Sequence, residues 1–89
     1  MPAKRTDADY EIESVSKALI VLDALEGTAF EPVKQSRIEK RTGFSRDLTM
    51  RTLRTLRLNG WATQNDRGEW MIGRKFIRLA QSAVDSFPE

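Results

Sequence analysis

Residues 45–61, SRDLTMRTLRTLRLNGW, hold four arginines, one tryptophan, no proline and one glycine near the end. A guanidinium is a planar fork of donors that fits guanine N7 and O6, or a phosphate. Whether such forks act together depends on their spacing. Successive residues of an α-helix are turned by about 100°. On that wheel Leu48, Thr49, Thr52, Leu53 and Leu56 gather on one side, and Arg46, Asp47, Met50, Arg51, Arg54 and Arg57 on the other. The apolar side is expected to meet a core, and the arginines to form an exposed stripe suited to a polyanion. Asp47 is the one acid on that stripe, whereas an ordinary solvated helix face mixes signs.

Other chemistries have fewer candidates. The 89 residues include no histidine and no cysteine. That excludes a disulfide framework and removes almost every zinc site and most nucleophile–base pairs. There is no glycine-rich phosphate loop, and no pair of acids stands apart for general acid–base work. The expectation is a protein that is not an enzyme and uses no metal and no cofactor. No stretch approaches the ~20 apolar residues of a bilayer span, and MPAKRTDADYEIES lacks the apolar centre of a secretory signal. A cytoplasmic protein without membrane contact is expected.

The net charge of +2 hides a strong asymmetry. Residues 1–33 carry three basic and seven acidic side chains, residues 34–57 eight and two, and residues 58–89 four and four. The basic block thus coincides with the segment that carries the arginine stripe, and local charge matters more than the total for a polyanion.

The elements that must position this stripe follow from apolar period and breakers. Residues 1–13 are polar and aperiodic and read as a flexible arm, in which Lys4 and Arg5 either touch a phosphate backbone or are merely solvated. A first helix is predicted over Ser14–Leu25, capped by Ser14 or Ser16, with Val15, Ala18, Leu19, Leu22 and Leu25 as its core stripe and Gly27 at its end. Ile20 falls off that stripe. GTAFEPV, residues 27–33, reads as a loop. A short second helix spans Lys34–Thr42 around Ile38 and stops at Gly43, with Phe44 plugging into the core. The arginine helix starts after Ser45, its N-cap, and ends at Asn59-Gly60. Strands near 61–64 and 69–72 flank the turn formers Asn65-Asp66-Arg67-Gly68 and bury Trp61, Trp70 and Ile72. A last helix, 74–86, shows Phe76, Ala80, Ala83 and Phe87 on one face, with Ile77 and Val84 beside them and Pro88 just beyond. The fold class is mainly α with a small β-hairpin. It is a winged helix-turn-helix over 14–73, with an additional C-terminal helix over 74–89 as a possible dimerisation element.

These residues resemble the DNA-binding domain of IclR-type transcriptional regulators, from Ser14 to about Ser82. SVSKALIVLDAL resembles the opening helix, RTGFSRDLTMRTLRTLRLNGW the turn and recognition helix, and RGEWMIGRKFIRLA the wing and the helix after it. The arginine segment also resembles GntR-type winged helices. The resemblance implies a homodimer acting on double-stranded DNA in transcription. The chain stops after the linker helix, so no small-molecule effector is expected, and its size suits a compact regulator of phage or mobile-element type.

In helix-turn-helix docking the N-terminal part of the second helix reaches base edges. Base contacts are therefore expected from Arg46, Asp47, Met50 and Arg51, with Met50 on a thymine methyl. Asp47 either accepts from cytosine N4 or complements the helix N-terminus. Arg54 and Arg57 are expected nearer phosphate. Ser45 either donates to phosphate or serves as a cap alone. Lys34, Gln35 and Ser36 are candidates for backbone contacts, and Arg67 at the wing tip for a minor groove or phosphate. The dimer seam is assigned to Phe76, Ala80, Ala83, Val84, Phe87 and Ile20, unless the last helix folds back on its own core. The competing reading is a winged helix that binds a protein partner through the acidic first third and the last helix.

Overall fold

The computed structural model describes residues 4–87. It contains helices α1 (Glu13–Asp23), α2 (Gln35–Thr42) and α3 (Arg46–Leu58), strands β1 (Ala62–Gln64) and β2 (Trp70–Ile72), and helix α4 (Arg74–Ser86). A 3-10 turn at Asp7–Tyr10 precedes them, closed by Thr6 N–H donating to Asp9 Oδ2 at 2.8 Å. This turn lies in the segment read as an arm. Met1–Ala3 of that arm, and Pro88, fall outside the described residues.

Helix α3 is the centre of the molecule and packs against α1, α2 and β1. Its Leu53 and Leu56 join Val21 of α1, Leu25 of the turn after it, Ile38 of α2, Ala62 of β1 and Trp70 of β2 in one core. Phe44, Trp61 and Ile72 are half-buried against it. The helix starts as its sequence dictates, with Ser45 Oγ accepting from Leu48 N–H at 3.2 Å. It ends at Asn59, whose side-chain amide donates to the Thr55 carbonyl at 2.8 Å. Between α2 and α3, Gly43 takes φ +75°, a left-handed cap that an L side chain would strain.

Helix α1 departs from expectation in three ways. It ends at Asp23, four residues before Gly27, and a run of turns follows. Its N-cap is Ile12 with no side-chain cap, and Ser16 Oγ donates instead to Glu11 Oε2 at 2.6 Å. Its one buried residue is Val21, with Ala18 and Leu22 half-buried beside it and Leu25 buried in the turn that follows, whereas Val15 and Leu19 are 51% and 55% exposed. Five successive apolar residues, Ala18 to Leu22, left the period unable to single out a face.

The loop before α2 is also more ordered than its composition suggests. Val33 pairs with Trp70 through both backbone bonds, N–H to carbonyl in each direction, at 3.1 and 2.6 Å. This gives the antiparallel hairpin, registered Ala62↔Ile72 and Gln64↔Trp70, a third backbone partner. Buried Thr28 ties the same loop to β2: its hydroxyl donates to the Leu25 carbonyl at 2.6 Å and accepts from Ile72 N–H at 2.9 Å.

Helix α4 buries none of its residues. It does not fold back on the core. Phe76, Ile77, Leu79, Val84 and Phe87 remain exposed, and Ala80 and Ala83 with them. Only its root is held. Gly73 N–H donates to the Trp61 carbonyl at 2.9 Å, Lys75 Nζ to the Asn59 carbonyl at 3.2 Å, and the Phe76 ring meets Trp61 edge-on at 6.4 Å between centroids. No helix among the described residues is long and apolar enough to cross a membrane.

Candidate nucleic-acid interface

The two sides of α3 separate as its wheel requires. Thr49, Thr52, Leu53 and Leu56 are buried and Leu48 is half-buried, while Arg46, Asp47, Arg51, Arg54 and Arg57 are exposed. Met50 is half-buried between these exposed residues and the helix surface. The buried leucines thus fix the rotation of the helix about its axis, and that rotation points the arginines outward.

The arginines differ in what already holds them. Arg51 faces Asp47 across one helical turn at 3.7 Å, both side chains being about three-quarters exposed. Such a pair contributes little stability in water, so the Arg51 guanidinium is readily released to another anion. Arg46 and Arg54 make no side-chain hydrogen bond or ion pair among the described residues. Arg57 is engaged within the protein: Nη1 donates to Gln64 Oε1, and the guanidinium lies 5.3 Å from the centroid of Trp70.

At the start of α2, Lys34 is the N-cap and its side chain is exposed, as is Ser36. These residues, with Gln35, Glu39 and Arg46, line one shallow depression. Gln35 has a different part from the one expected. Its Nε2 donates to Glu39 Oε2 at 3.1 Å and to the Arg46 carbonyl at 3.2 Å, which braces α2 against the first turn of α3. Ser45 is taken up by its capping bond. Arg67 stands exposed in the turn between the strands, with its backbone N–H held by Asn65 Oδ1 at 3.0 Å.

The arrangement therefore brings Lys34, Ser36 and Arg46 together at the mouth of the helix pair. Asp47, Arg51 and Arg54 follow along the outer face of α3, and Arg67 projects from the hairpin beyond it. Side chains that composition did not distinguish complete the frame. Arg41 Nη1 donates to the Ala24 carbonyl at 2.7 Å, so this cation staples α2 to the turn after α1. Gln64 and Asn65 organise the hairpin turn, and the sequence signal for them was no more than the cluster of turn formers.

No protein-family model matches the chain, and no curated protein sequence does. Solved structures do. A crystal structure of HmgR from Pseudomonas aeruginosa superposes with a TM-score of 0.74 at 25% identity, over 86% of this chain and 32% of that one. An IclR transcriptional regulator from Alicyclobacillus acidocaldarius superposes with a TM-score of 0.75 at 26% identity, over 85% and 31%. An IclR-family regulator from Brucella abortus shares the fold over 98% of this chain, with a TM-score of 0.76 at 18% identity. The chain spans about a third of the length of these proteins.

Proposed function

Because the chain has the winged helix-turn-helix fold of IclR-type DNA-binding domains, we propose that it is a sequence-specific double-stranded DNA-binding protein that acts as a transcriptional regulator. The observation that carries this reading is the outward arginine face of α3, set beside a hairpin that also bears an exposed arginine. An α-helix fills the major groove, and donors on its outer side meet base edges. Base contacts are assigned to Arg46, Asp47, Met50 and Arg51 on the first turns, which is where a recognition helix reaches base edges. Phosphate contacts are assigned to Lys34, Ser36 and Arg54, and contact with the minor groove or the phosphates beside it to Arg67. Gln35 and Ser45 support this surface from within it.

Purified protein titrated with a duplex should lose affinity steeply as salt rises, with a log–log slope of about −0.9 for each phosphate neutralised. Arg51→Ala should narrow the difference between preferred and random sequence, and Lys34→Ala should weaken both alike. Binding that is absent, or indifferent to salt, overturns the reading. Selection of bound fragments from genomic DNA supplies the operator.

We propose further that the active form is a homodimer seamed along α4. An isolated helix shorter than about 12–15 residues is marginal in water, and α4 has 13 residues with none buried. Phe76, Leu79, Ala80, Ala83, Val84 and Phe87 fall on one face, which another α4 covers by symmetry; exposed Ile20 of α1 is assigned to the same seam. A monomer mass in sedimentation equilibrium at high protein concentration excludes this assembly. The same exposed face favours a second reading, a winged helix that docks on a protein. In that case a recovered partner stays bound when the arginines of α3 are replaced.

A further inference from the structure

We propose that Gln64 is a positioning residue that transmits the orientation of α3 to the wing tip, with Arg57 as its strut and not as a phosphate ligand. The proposal rests on the reading of α3 and the hairpin as one DNA-binding surface.

Gln64 closes β1 and stands opposite Trp70 in the ladder. Its amide is used at both ends. Oε1 accepts from Arg57 Nη1 of α3, and Nε2 donates to the Gly68 carbonyl at 3.0 Å on the far side of the turn. The chemistry of the partners fixes which end is which, since a guanidinium only donates and a carbonyl only accepts. The strut is held a second time, because the Arg57 guanidinium rests 5.3 Å from the Trp70 ring centroid. One of its five N–H donors and its planar face are thus turned to the hairpin.

The turn beyond Gln64 is internally closed. Asn65 Oδ1 accepts from the N–H groups of Arg67 and Glu69, both at 3.0 Å. Gly68 N–H reaches the Asn65 carbonyl at 3.0 Å, and Gly68 takes φ +77°. Arg67 therefore rides on a stiff loop. What remains free is the tilt of that loop against α3. Strands of three residues resist such a tilt poorly. Among the described residues, Arg57 to Gln64 is the one side-chain hydrogen bond from α3 to the hairpin. Through Gln64 it continues to Gly68, the neighbour of Arg67.

The test uses the full chain. In the free protein, {1H}–15N heteronuclear NOEs of the Asp66, Arg67 and Gly68 amides should fall in Gln64→Leu, which loses both ends. They should fall also in Gln64→Glu, which keeps an acceptor for Arg57 but loses the donor to Gly68. Fluorescence anisotropy with the selected duplex then measures coupling. Arg67→Ala should weaken binding roughly tenfold in the otherwise unchanged protein, the worth of one charged hydrogen bond. It should weaken binding less than about twofold when Gln64 is already leucine, since the tip is then no longer placed. In the Arg67→Ala background, Arg57→Ala should leave the salt slope unchanged. Unaltered NOEs, losses from Gln64→Leu and Arg67→Ala that simply multiply, or a slope reduced by about one on removing Arg57 in that background, each overturn the proposal. If the unchanged protein binds no duplex at all, the DNA-binding reading has failed, and the NOEs alone decide whether Gln64 sets the tip.

Discussion

Two buried threonines show how much a single hydroxyl depends on its partners. Thr28 and Thr49 are both almost wholly buried, at 1% and 0% exposure. Thr28 has its hydroxyl satisfied twice, toward Leu25 and Ile72. Thr49 Oγ1 has no hydrogen-bond partner among the described residues. Burying a hydroxyl without a partner costs free energy, and stranding its former partners costs more. Thr49→Val should therefore raise unfolding stability by about 1 kcal/mol, and Thr28→Val should lower it by about 1–3 kcal/mol. Urea denaturation at constant m-value measures both, and equal signs contradict the argument. The same distinction bears on the cations. Counting basic residues located the charged segment correctly, and the side chosen for each α3 arginine holds. Counting did not separate the α3 cations without a partner among the described residues, Arg46 and Arg54, from Arg41, Arg57 and Lys75, which are exposed too but reach carbonyls or an amide within the protein. That separation depends on which acceptor folding brings within reach of a long side chain, and spacing along the chain does not contain it.

At the scale of elements, α2, α3 and α4 were legible within a residue or so, because capping and breaking residues mark them: Ser45 before α3, Gly43 between α2 and α3, Gly73 before α4. The hairpin was legible from its turn formers. The buried face of α1 was not, since apolar residues run without interruption through its centre. The Val33–Trp70 pairing was hidden because a single bridge leaves no alternation to read. For α4 the apolar face was visible and its neighbour was not: amphipathicity says that a face needs cover and not what provides it. Gly73 joins these elements and yields a sharp expectation. A Cβ there lies 2.4 Å from the Gly60 carbonyl oxygen and 2.7 Å from the Trp61 carbonyl carbon, both backbone atoms. Its φ of −87° is ordinary, so the constraint is space and not backbone conformation. Gly73→Ala should cost about 3 kcal/mol or more, at or beyond the upper end of overpacking, and should displace α4 from the hairpin. Thermal unfolding reads the loss, and the chemical shifts of Trp61 and Ala62 read the displacement. A melting curve unchanged from the parent contradicts the close approach.

Taken whole, the molecule is elongated, with principal extents of 57, 41 and 20 Å. Helix α3, which bears the arginine face, and the uncovered helix α4 are joined at one place, the backbone crossing of Asn59–Trp61 with Gly73–Lys75. A 13-residue helix adds about 20 Å of rod leaving from that crossing at a fixed bearing. If two chains clasp along α4, their reading heads become the jaws of a rigid caliper whose opening and azimuth are set by a glycine and a lysine at its pivot. Such a device registers helical phase as well as letters. Five extra base pairs between the two halves of an operator turn one half to the far side of the duplex, so binding measured by gel shift should collapse. Ten extra base pairs restore the facing but exceed the span, so recovery should remain incomplete. A long pliant joint at the pivot would ignore both insertions. The protein would then owe its spacing preference to a knot of backbone that touches no DNA.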